Sequence, residues 1–257
     1  MRQAKAAIIS NSKVMPGVHL IWLETPQIAS QAQPGQFVMV RCDDREEFQL
    51  RRPFSVHKIE GKRLALLFNI VGRGTHWLSQ CQTSDSLDLL GPLGNGYTIY
   101  PDAKNLLLVA GGIGVAPLAF LAQQVPKQGC SVTLLLGTVT APQLYPENLL
   151  PPEVKLITAT EDGTSGKKGL VTNLLPDYVD RADQLFACGP MPMYKAMAKM
   201  PELKSKPVQI SLEVRMGCGL GVCYGCTVKT KNGLKQVCKD GPVFELGDVL
   251  WEELNCL

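Results

Sequence analysis

Four cysteines near the carboxyl end of the sequence have a spacing that suits an iron–sulfur cluster. Cys218, Cys223 and Cys226 are arranged as C-x4-C-x2-C, and eleven residues separate the third of them from Cys238. This is the plant-type ligand spacing for a [2Fe–2S] cluster, which needs four thiolates converging on one small volume. Glycines alternate with the ligands in residues 217–225, and they let the backbone bend and approach a cluster closely. The pattern predicts a centre that moves one electron at a time.

A structural zinc site is the alternative for these cysteines, since four thiolates also satisfy Zn2+. Zinc knuckles usually contain two C-x2-C pairs, and here only Cys223 and Cys226 form one. A disulfide is less favoured, because nothing in the sequence indicates secretion. The spacing therefore favours the cluster. Zinc would instead make the chain a regulatory or scaffold module without redox chemistry.

A second group of residues suits the phosphates of a nucleotide cofactor. Arg52–Ser55 begin a predicted strand, and Gly72–Thr75 precede an apolar helical stretch. A helix start presents free amide groups that bind phosphate readily, and Thr75 is the predicted N-cap. Arg52 could donate a forked pair of hydrogen bonds to the same pyrophosphate. Taken alone, an ordinary capped helix is the favoured interpretation of this segment.

A third group has the order strand, glycine loop, helix start. The strand Leu106–Ala110 leads into Gly111, Gly112 and Gly114, where loop amides and the helix dipole suit a pyrophosphate. The full dinucleotide fingerprint is absent, because Pro117 stands where its third glycine would be and no acid follows the next strand. The loop alone is therefore moderate evidence for a nicotinamide nucleotide.

The segment after the second strand of this region bears on the choice between NAD and NADP. Gly137–Leu144 contain no arginine or lysine that could hold a 2′-phosphate, which favours NAD. Lys167 and Lys168 keep NADP open.

The elements that must position these groups change in character along the chain. Residues 1–100 contain short β-rich runs, such as Phe54–Ile59, separated by Gly, Pro and Asp, which predicts a closed or nearly closed antiparallel barrel. In residues 101–207, continuous apolar strands alternate with helix-compatible segments, among them Leu170–Val179, which predicts a parallel sheet covered on both faces. Residues 208–257 carry a last strand, Gln209–Val214, and then the cysteine loop. The predicted fold class is β plus α/β, with a barrel, a nucleotide-binding domain and a short cluster subdomain.

Composition narrows the function classes. The chain has 257 residues, is 45% hydrophobic and carries a net charge of +3, which is too small to argue for nucleic acid. The sequence shows neither a signal peptide nor an uninterrupted apolar run of membrane-spanning length, which predicts a cytoplasmic protein without a membrane partner. Nine cysteines in such a chain favour metal or redox roles over disulfides.

Taken together, the three groups resemble the ferredoxin–NADP reductase superfamily. In that superfamily the flavin lies across the barrel, and its ring faces the nucleotide domain. Phe54 stands where the superfamily usually has tyrosine, so a hydrogen bond through that position is lost. From about Gly35 to Glu252 the chain is similar to the electron transfer subunits of dihydroorotate dehydrogenase B, most diagnostically in the tail from Ser211 to Phe244.

This resemblance implies cofactors and the residues that hold them. FAD is expected in the barrel and NAD in the nucleotide domain, where the segment Cys188, Gly189 and Pro190 lies beside the nicotinamide. A buried packing role is the alternative for Cys188. The residues expected to contact FAD are Arg52, Pro53, Phe54, Ser55, Leu67, Phe68, Asn69, Gly74 and Thr75. The residues expected to contact NAD are Gly111, Gly112, Gly114, Cys188, Gly189 and Pro190.

The resemblance also implies a partner and a route for electrons. The partner is a catalytic, FMN-containing subunit that oxidises dihydroorotate in pyrimidine (UMP) biosynthesis, expected in a heterotetramer with two copies of each chain. Electrons are expected to pass from that FMN through the cluster and FAD to NAD+, and no residue is expected to act as a catalytic acid or base. Leu220, Val222 and Tyr224 are candidate interface residues. The alternative is a related flavin and iron–sulfur subunit that couples NAD(P)H to ferredoxin, sulfide or hydrogenase partners.

Overall fold

Two seven-stranded sheets form the framework of the chain. The structure, a computed structural model, describes residues 1–42, 50–125 and 129–254. The last three residues of the predicted tail therefore lie outside the described part. Among the described residues, no helix has the length and hydrophobicity needed to cross a bilayer.

The first sheet is antiparallel and corresponds to the predicted barrel. Its strands are β1 (Arg2–Met15), β2 (Val18–Glu24), β3 (Phe37–Arg41), β4 (Arg52–Ser55), β5 (Lys58–Glu60), β6 (Arg63–Asn69) and β7 (Ser86–Leu93). They pair in the order β4-β3-β7-β1-β2-β6-β5. Two helices, α1 (Pro26–Ala29) and α2 (Arg73–Gln80), belong to this part of the chain. Alternate residues face the interior, so Ile8, Ile21 and Val38 are fully buried in the barrel core.

Two residues nearly close this barrel. The run Phe54–Ile59, expected as one strand, is divided between β4 and β5, which are the two edge strands of the sheet. Between them, the amide of Val56 donates to Gln36 O on one side, and the amide of His57 donates to Ala65 O on the other. The chain therefore crosses from one edge of the sheet to the other within Val56 and His57.

The second sheet follows the predicted alternation of strands and helices. Its first six strands are β8 (Asn105–Gly111), β9 (Ser131–Thr138), β10 (Val154–Thr160), β11 (Lys167–Lys168), β12 (Gln184–Cys188) and β13 (Val208–Ser211). They are parallel and lie in the order β11-β10-β9-β8-β12-β13. Leu106–Ala110 is buried throughout, as expected for a strand covered on both faces.

The helices of this region are α3 (Val115–Gln124), α4 (Leu175–Tyr178) and α5 (Met191–Lys199). One expected helix is shorter than its pattern suggested. In place of a continuous helix over residues 170–179, a 3-10 turn at Val171–Leu174 precedes α4 and another follows at Val179–Arg181. Pro176 lies in the first turn of α4, where its missing N–H is tolerated but from which a helix cannot extend backwards.

The tail returns to the second sheet. After the cysteine loop come the hairpin β14 (Thr227–Thr230) and β15 (Gly233–Gln236), the helix α6 (Val237–Asp240) and the strand β16 (Val243–Glu245). Strand β16 pairs antiparallel with β13 and becomes the seventh strand. The last parallel strand ends at Ser211, three residues earlier than predicted.

One hydrophobic cluster joins the barrel, the second sheet and the tail. It contains Met39 of the barrel, Val109 of β8, and Cys226, Cys238 and Trp251 of the tail. Burying this apolar surface holds the tail against both other parts of the chain.

Candidate functional site

The four predicted cluster cysteines come together at one end of the tail. Cys218 and Cys223 lie in the loop, Cys226 ends it, and Cys238 lies on α6. The Sγ of Cys218 accepts hydrogen bonds from the amides of Leu220 (3.3 Å), Val222 (3.4 Å) and Cys223 (3.5 Å).

Two further sulfurs, those of Cys226 and Cys238, also accept hydrogen bonds from backbone amides. The amide of Gly221 donates to Cys238 Sγ at 3.1 Å, and the amide of Cys238 donates to Cys226 Sγ at 3.4 Å. Amides aimed at sulfur stabilise thiolates, and in iron–sulfur proteins such hydrogen bonds tune the reduction potential. The loop therefore presents the sulfurs and the amide donors that a [2Fe–2S] cluster requires.

The thiols of this site affect one another's ionisation. Burial opposes ionisation of Cys218, but the amides of Leu220, Cys223 and Val222 outweigh it and lower the pKa of Cys218 to about 6. Burial, together with the neighbouring Cys226 sulfur, raises the pKa of Cys238 to about 12. Four thiolates packed this closely repel one another, so the site suits a positively charged iron core.

The sulfurs do not surround a single point. Within residues 1–42, 50–125 and 129–254, no group of three or more His, Cys, Asp or Glu is arranged to hold one metal ion. Hydrogen bonds from backbone to sulfur instead link Cys223 with Cys218 and Cys238 with Cys226. In a two-iron cluster held by four thiolates, each iron takes two of them, and this pairing fits that division.

Gly219 shows how closely the loop lies on the barrel. Its φ is +72°, and an added Cβ would lie 2.6 Å from Cγ of Met39 on β3. Both the left-handed backbone and the close contact exclude a larger residue. The cysteine loop is therefore seated directly against a barrel strand.

The predicted flavin residues line one cleft of about 620 Å³ at the barrel edge. The walls contain all nine: Arg52, Pro53, Phe54, Ser55, Leu67, Phe68, Asn69, Gly74 and Thr75. Sequence reasoning did not assign the rest of the wall, which includes Ile113 from the turn before α3, Ala116 from α3 itself and residues 211–216 from the tail. The rings of Phe54 and Phe68 meet edge to face with centroids 5.7 Å apart, giving the cleft a rigid aromatic floor.

The helix at this cleft begins earlier than expected. Thr75 was predicted as the N-cap, but that prediction is wrong, because the N-cap is Gly72 and α2 starts at Arg73. Gly72 has no side chain to cap with. The hydroxyl of Thr75 instead accepts from the amides of Val71 (2.9 Å) and Gly72 (3.1 Å). Thr75 therefore orders the turn before the helix.

A second cleft, of about 590 Å³, lies along the carboxyl ends of the parallel strands. Five of the six residues predicted to contact NAD line it: Gly111, Gly112, Gly114, Gly189 and Pro190. The sixth, Cys188, is fully buried at the end of β12, and its side chain is not part of the cleft wall. An added Cβ at Gly114 would lie 2.0 Å from the Cys188 carbonyl oxygen, so glycine is required for the loop to pack against β12.

The two clefts share three residues, Asn69, Ile113 and Glu213, and so meet at one point. Solvent reaches Glu213 through the clefts, while protein surrounds its carboxylate on the other sides. This desolvation raises the pKa of Glu213. Ligands bound in the two clefts would therefore meet beside this carboxyl group.

The fold and these sites define a class of protein, the ferredoxin–NADP reductase-like flavin oxidoreductases. The structure resembles that of an NADH-dependent reduced ferredoxin–NADP oxidoreductase, with a TM-score of 0.88 and 31% identity over 98% of this chain and 91% of the other. A ferredoxin NADP+ reductase from Neisseria gonorrhoeae shares the fold, with a TM-score of 0.65 and 17% identity over 76% of this chain and 89% of that one. These matches confirm the predicted fold.

Sequence comparison gives the family. Residues 213–250 match the iron-sulfur cluster binding domain of dihydroorotate dehydrogenase B. The dihydroorotate dehydrogenase B (NAD(+)) electron transfer subunit of Desulforamulus reducens is 38% identical over 96% of this chain and 98% of its own length. That of Bacillus caldolyticus is 40% identical over 87% of this chain and 89% of its own. The chain belongs to the family of dihydroorotate dehydrogenase B electron transfer subunits, as predicted.

Proposed function

We propose that the chain carries electrons to NAD+ from a catalytic subunit that oxidises dihydroorotate, as one step of pyrimidine (UMP) biosynthesis. The observation that supports this most directly is the continuity of three sites. Residues 211–216 line the flavin cleft and run straight into Cys218, while the flavin cleft meets the nicotinamide cleft at Glu213. Electron transfer needs such adjacency.

The cofactors of the chain are FAD, a [2Fe–2S] cluster and NAD. When bound, the cluster supplies one-electron transfer, the flavin converts between single electrons and a pair, and NAD+ accepts a hydride. We assign the cluster to Cys218, Cys223, Cys226 and Cys238. We assign FAD to the nine cleft residues of the barrel, and NAD to the glycine loop, Gly189 and Pro190, with Cys188 supporting the loop from the core.

The protein residues position these groups and exclude water. Arg52 stands beside the start of α2, since its Nε lies 3.6 Å from where a Cβ of Gly74 would be. A guanidinium and free helix amides at one place suit a pyrophosphate. Phe54 and Phe68 supply apolar walls next to it. We assign residues 1–100 to FAD binding, 101–207 to NAD binding and 208–257 to the cluster.

The family is that of a subunit, so a catalytic partner is part of the function. We infer that this partner contains FMN and that two copies of each chain form a heterotetramer in the cytoplasm. The cluster loop provides a contact surface for it. Val222 and Tyr224 are 72% and 70% exposed and stand beside the exposed Cys223. Exposed apolar side chains of this size mark surfaces that a partner covers.

Reconstitution tests the proposal. The purified chain with its partner should reduce NAD+ when given dihydroorotate, and it should contain iron, acid-labile sulfide and extractable FAD. Cys223→Ser should abolish dihydroorotate-linked NAD+ reduction, while Cys130→Ser, the same change away from the cluster, should not. Retained NAD+ reduction in the Cys223 variant would remove the cluster from the electron route.

A second candidate function is supported by the structural match to an NADH-dependent reduced ferredoxin–NADP oxidoreductase. In that case the chain would couple NAD(P)H to a ferredoxin, sulfide or hydrogenase partner. The two candidates differ in the electron donor. A complex purified from the native host that reduces NAD+ with reduced ferredoxin, and not with dihydroorotate, would select the second.

A further inference from the structure

The nicotinamide cleft has a glutamate at each end. The strands that border it lie in the order β10-β9-β8-β12-β13. Glu213 follows β13 at one end, and Glu161 follows β10 at the other, with Gly111 at the end of β8 between them. The two carboxylates therefore mark opposite ends of a groove that crosses five strands.

The orientation of a bound dinucleotide follows from this arrangement, and here the inference rests on the proposed function. The end at Glu213 is the end that the flavin cleft shares, so the nicotinamide belongs there. The loop at Gly112–Gly114 and the start of α3 lie in the middle, where their amides suit the pyrophosphate. The adenosine ribose is thereby directed towards Glu161.

The carboxylate of Glu161 is available to a ligand. It makes no hydrogen bond or ion pair with any residue that the structure describes, while its amide donates to Thr138 O at 3.1 Å and fixes the backbone at the end of β9. Neighbouring polar groups are engaged locally. Thr138 Oγ1 donates to Thr140 O at 3.0 Å, and Gln143 Oε1 accepts from the amide of Thr140 at 3.2 Å.

The described residues place no cation at this end of the groove. In the part of the chain that the structure describes, no lysine or arginine lines the cleft. Lys167, which kept NADP open at the level of sequence, donates to Asn173 O at 3.0 Å and to Asp177 Oδ2 at 3.1 Å. The stem of Lys168 packs against Gly163, outside the cleft. A 2′-phosphate would meet a carboxylate without a compensating charge.

We propose that Glu161 is the residue that selects NAD over NADP. Its carboxylate accepts hydrogen bonds from the hydroxyls of the adenosine ribose, and it repels a phosphate at the 2′ position. An acidic residue in this role usually follows the second strand of the fold. Here it follows the third, and the hydrogen bond from its amide to β9 brings it to the ribose end of the groove.

The test measures flavin bleaching in the full chain with its cofactors bound. Stopped-flow absorbance gives the second-order rate constants for NADH and NADPH. Glu161→Gln should raise the constant for NADPH about tenfold and lower that for NADH several-fold, because one charge and its hydrogen bonds are lost. Glu161→Lys should lower the ratio of the NADH rate constant to the NADPH rate constant by about a hundredfold or more, because repulsion of the 2′-phosphate becomes attraction.

A matched control exists at the other end of the same strand. Glu153 immediately precedes β10 and is exposed, and it lies roughly 25 Å from Glu161 at the usual rise of a strand. Glu153→Gln and Glu153→Lys make the same changes of charge beyond the range of screened interactions. Both should leave the ratio within a factor of two of the wild type.

The outcomes separate this inference from the function on which it rests. If NADH bleaches the wild-type flavin but Glu161→Gln and Glu161→Lys change the ratio no more than the Glu153 controls do, Glu161 is not the selector. If NADH fails to bleach the wild type, the NAD-linked function itself is wrong. Calorimetric binding of ADP-ribose and 2′-phospho-ADP-ribose tests the ribose end without hydride transfer. Glu161→Gln must increase the affinity for 2′-phospho-ADP-ribose relative to that for ADP-ribose, or the proposal fails.

Discussion

The Nε2 atom of His57 lies 2.9 Å from the hydroxyl oxygen of Tyr145. The other ring nitrogen of His57, Nδ1, lies 2.9 Å from the carbonyl oxygen of Ala116 at the start of α3. That carbonyl can only accept, so Nδ1 carries the proton and Nε2 accepts from Tyr145. One fully buried, neutral imidazole thereby joins the barrel, two residues after the predicted flavin strand, to the helix that follows the nicotinamide loop.

Acid should weaken this junction. Burial lowers the pKa of His57 from its ordinary value of 6.5 to about 3, so between these values the unfolded chain binds a proton that the folded chain does not. Stability is therefore retained above pH 6.5 and lost as the pH falls, by up to about 1.4 kcal/mol per pH unit. Urea unfolding of His57→Gln should show a shallower pH dependence than the wild type, with exposed His76→Gln as control. Equal slopes would contradict the assignment.

Removal of the Tyr145 hydroxyl tests the same junction at neutral pH. Tyr145→Phe leaves Nε2 of His57 buried without a donor, and we expect a loss of about 1–3 kcal/mol in the free energy of unfolding. Tyr178→Phe is a suitable control, because that ring is only partly buried. A stability unchanged within error would show that Nε2 finds another donor.

Loss of Arg52 should weaken flavin binding. We expect Arg52→Gln to raise the dissociation constant of FAD by about 10- to 100-fold, since a charged hydrogen bond to phosphate is removed. Fluorescence titration of the flavin-free chain measures this. The dissociation constant of Arg52→Lys should lie between those of the wild type and Arg52→Gln, because lysine keeps the charge but not the planar fork. Unaltered affinity in both variants would place the pyrophosphate elsewhere in the cleft.

A methyl group at Gly114 should block the nicotinamide loop. Its Cβ would lie 2.0 Å from Cys188 O, so the loop must shift. We expect Gly114→Ala to slow flavin reduction by NADH at least tenfold while the flavin stays bound, which absorbance and stopped flow can follow. Gly247→Ala, where an added Cβ meets nothing within 4 Å, is the control. Normal NADH reduction in Gly114→Ala would argue against this loop as the binding element.

A charge in the cluster loop should separate the chain from its partner. Val222→Asp places a carboxylate on the 72% exposed apolar surface beside Cys223, and we expect the affinity for the catalytic subunit to fall at least tenfold. NADH reduction of the flavin in the isolated chain should not change. Val222→Ile, which stays apolar, should assemble normally by gel filtration. A stable complex of Val222→Asp with the catalytic subunit would show that the interface lies outside the cluster loop.

Local sequence patterns predicted much of the fold and of the cluster site. The cysteine spacing identified a set of sulfurs that the fold does bring together, because the loop from Cys218 to Cys226 is short and α6 returns Cys238 to it. The barrel and the parallel sheet were also evident, since strand patterns and glycine punctuation are local features. The predicted helix over 170–179 and the N-cap at Thr75 were less accurate, because a proline and a neighbouring glycine set those boundaries.

The order in which distant strands pair could not be predicted from the sequence. Nothing near Glu161 indicates that its strand end borders the cleft, because that depends on the order β10-β9-β8. Nor does the segment around Cys188 indicate that its side chain points into the core while its carbonyl supports Gly114. The position after the third parallel strand was the one available signal for Glu161.

The pairing of β16 with β13 affects how the chain folds while the ribosome synthesises it. Synthesis proceeds from the amino terminus, so a sheet that begins at residue 105 stays one strand short until residues 243–245 leave the ribosome. During that interval the backbone of β13 is an open template for strands of other chains. Nascent or prematurely terminated chains should therefore be the species most prone to aggregation, and the emergence of β16 removes the hazard.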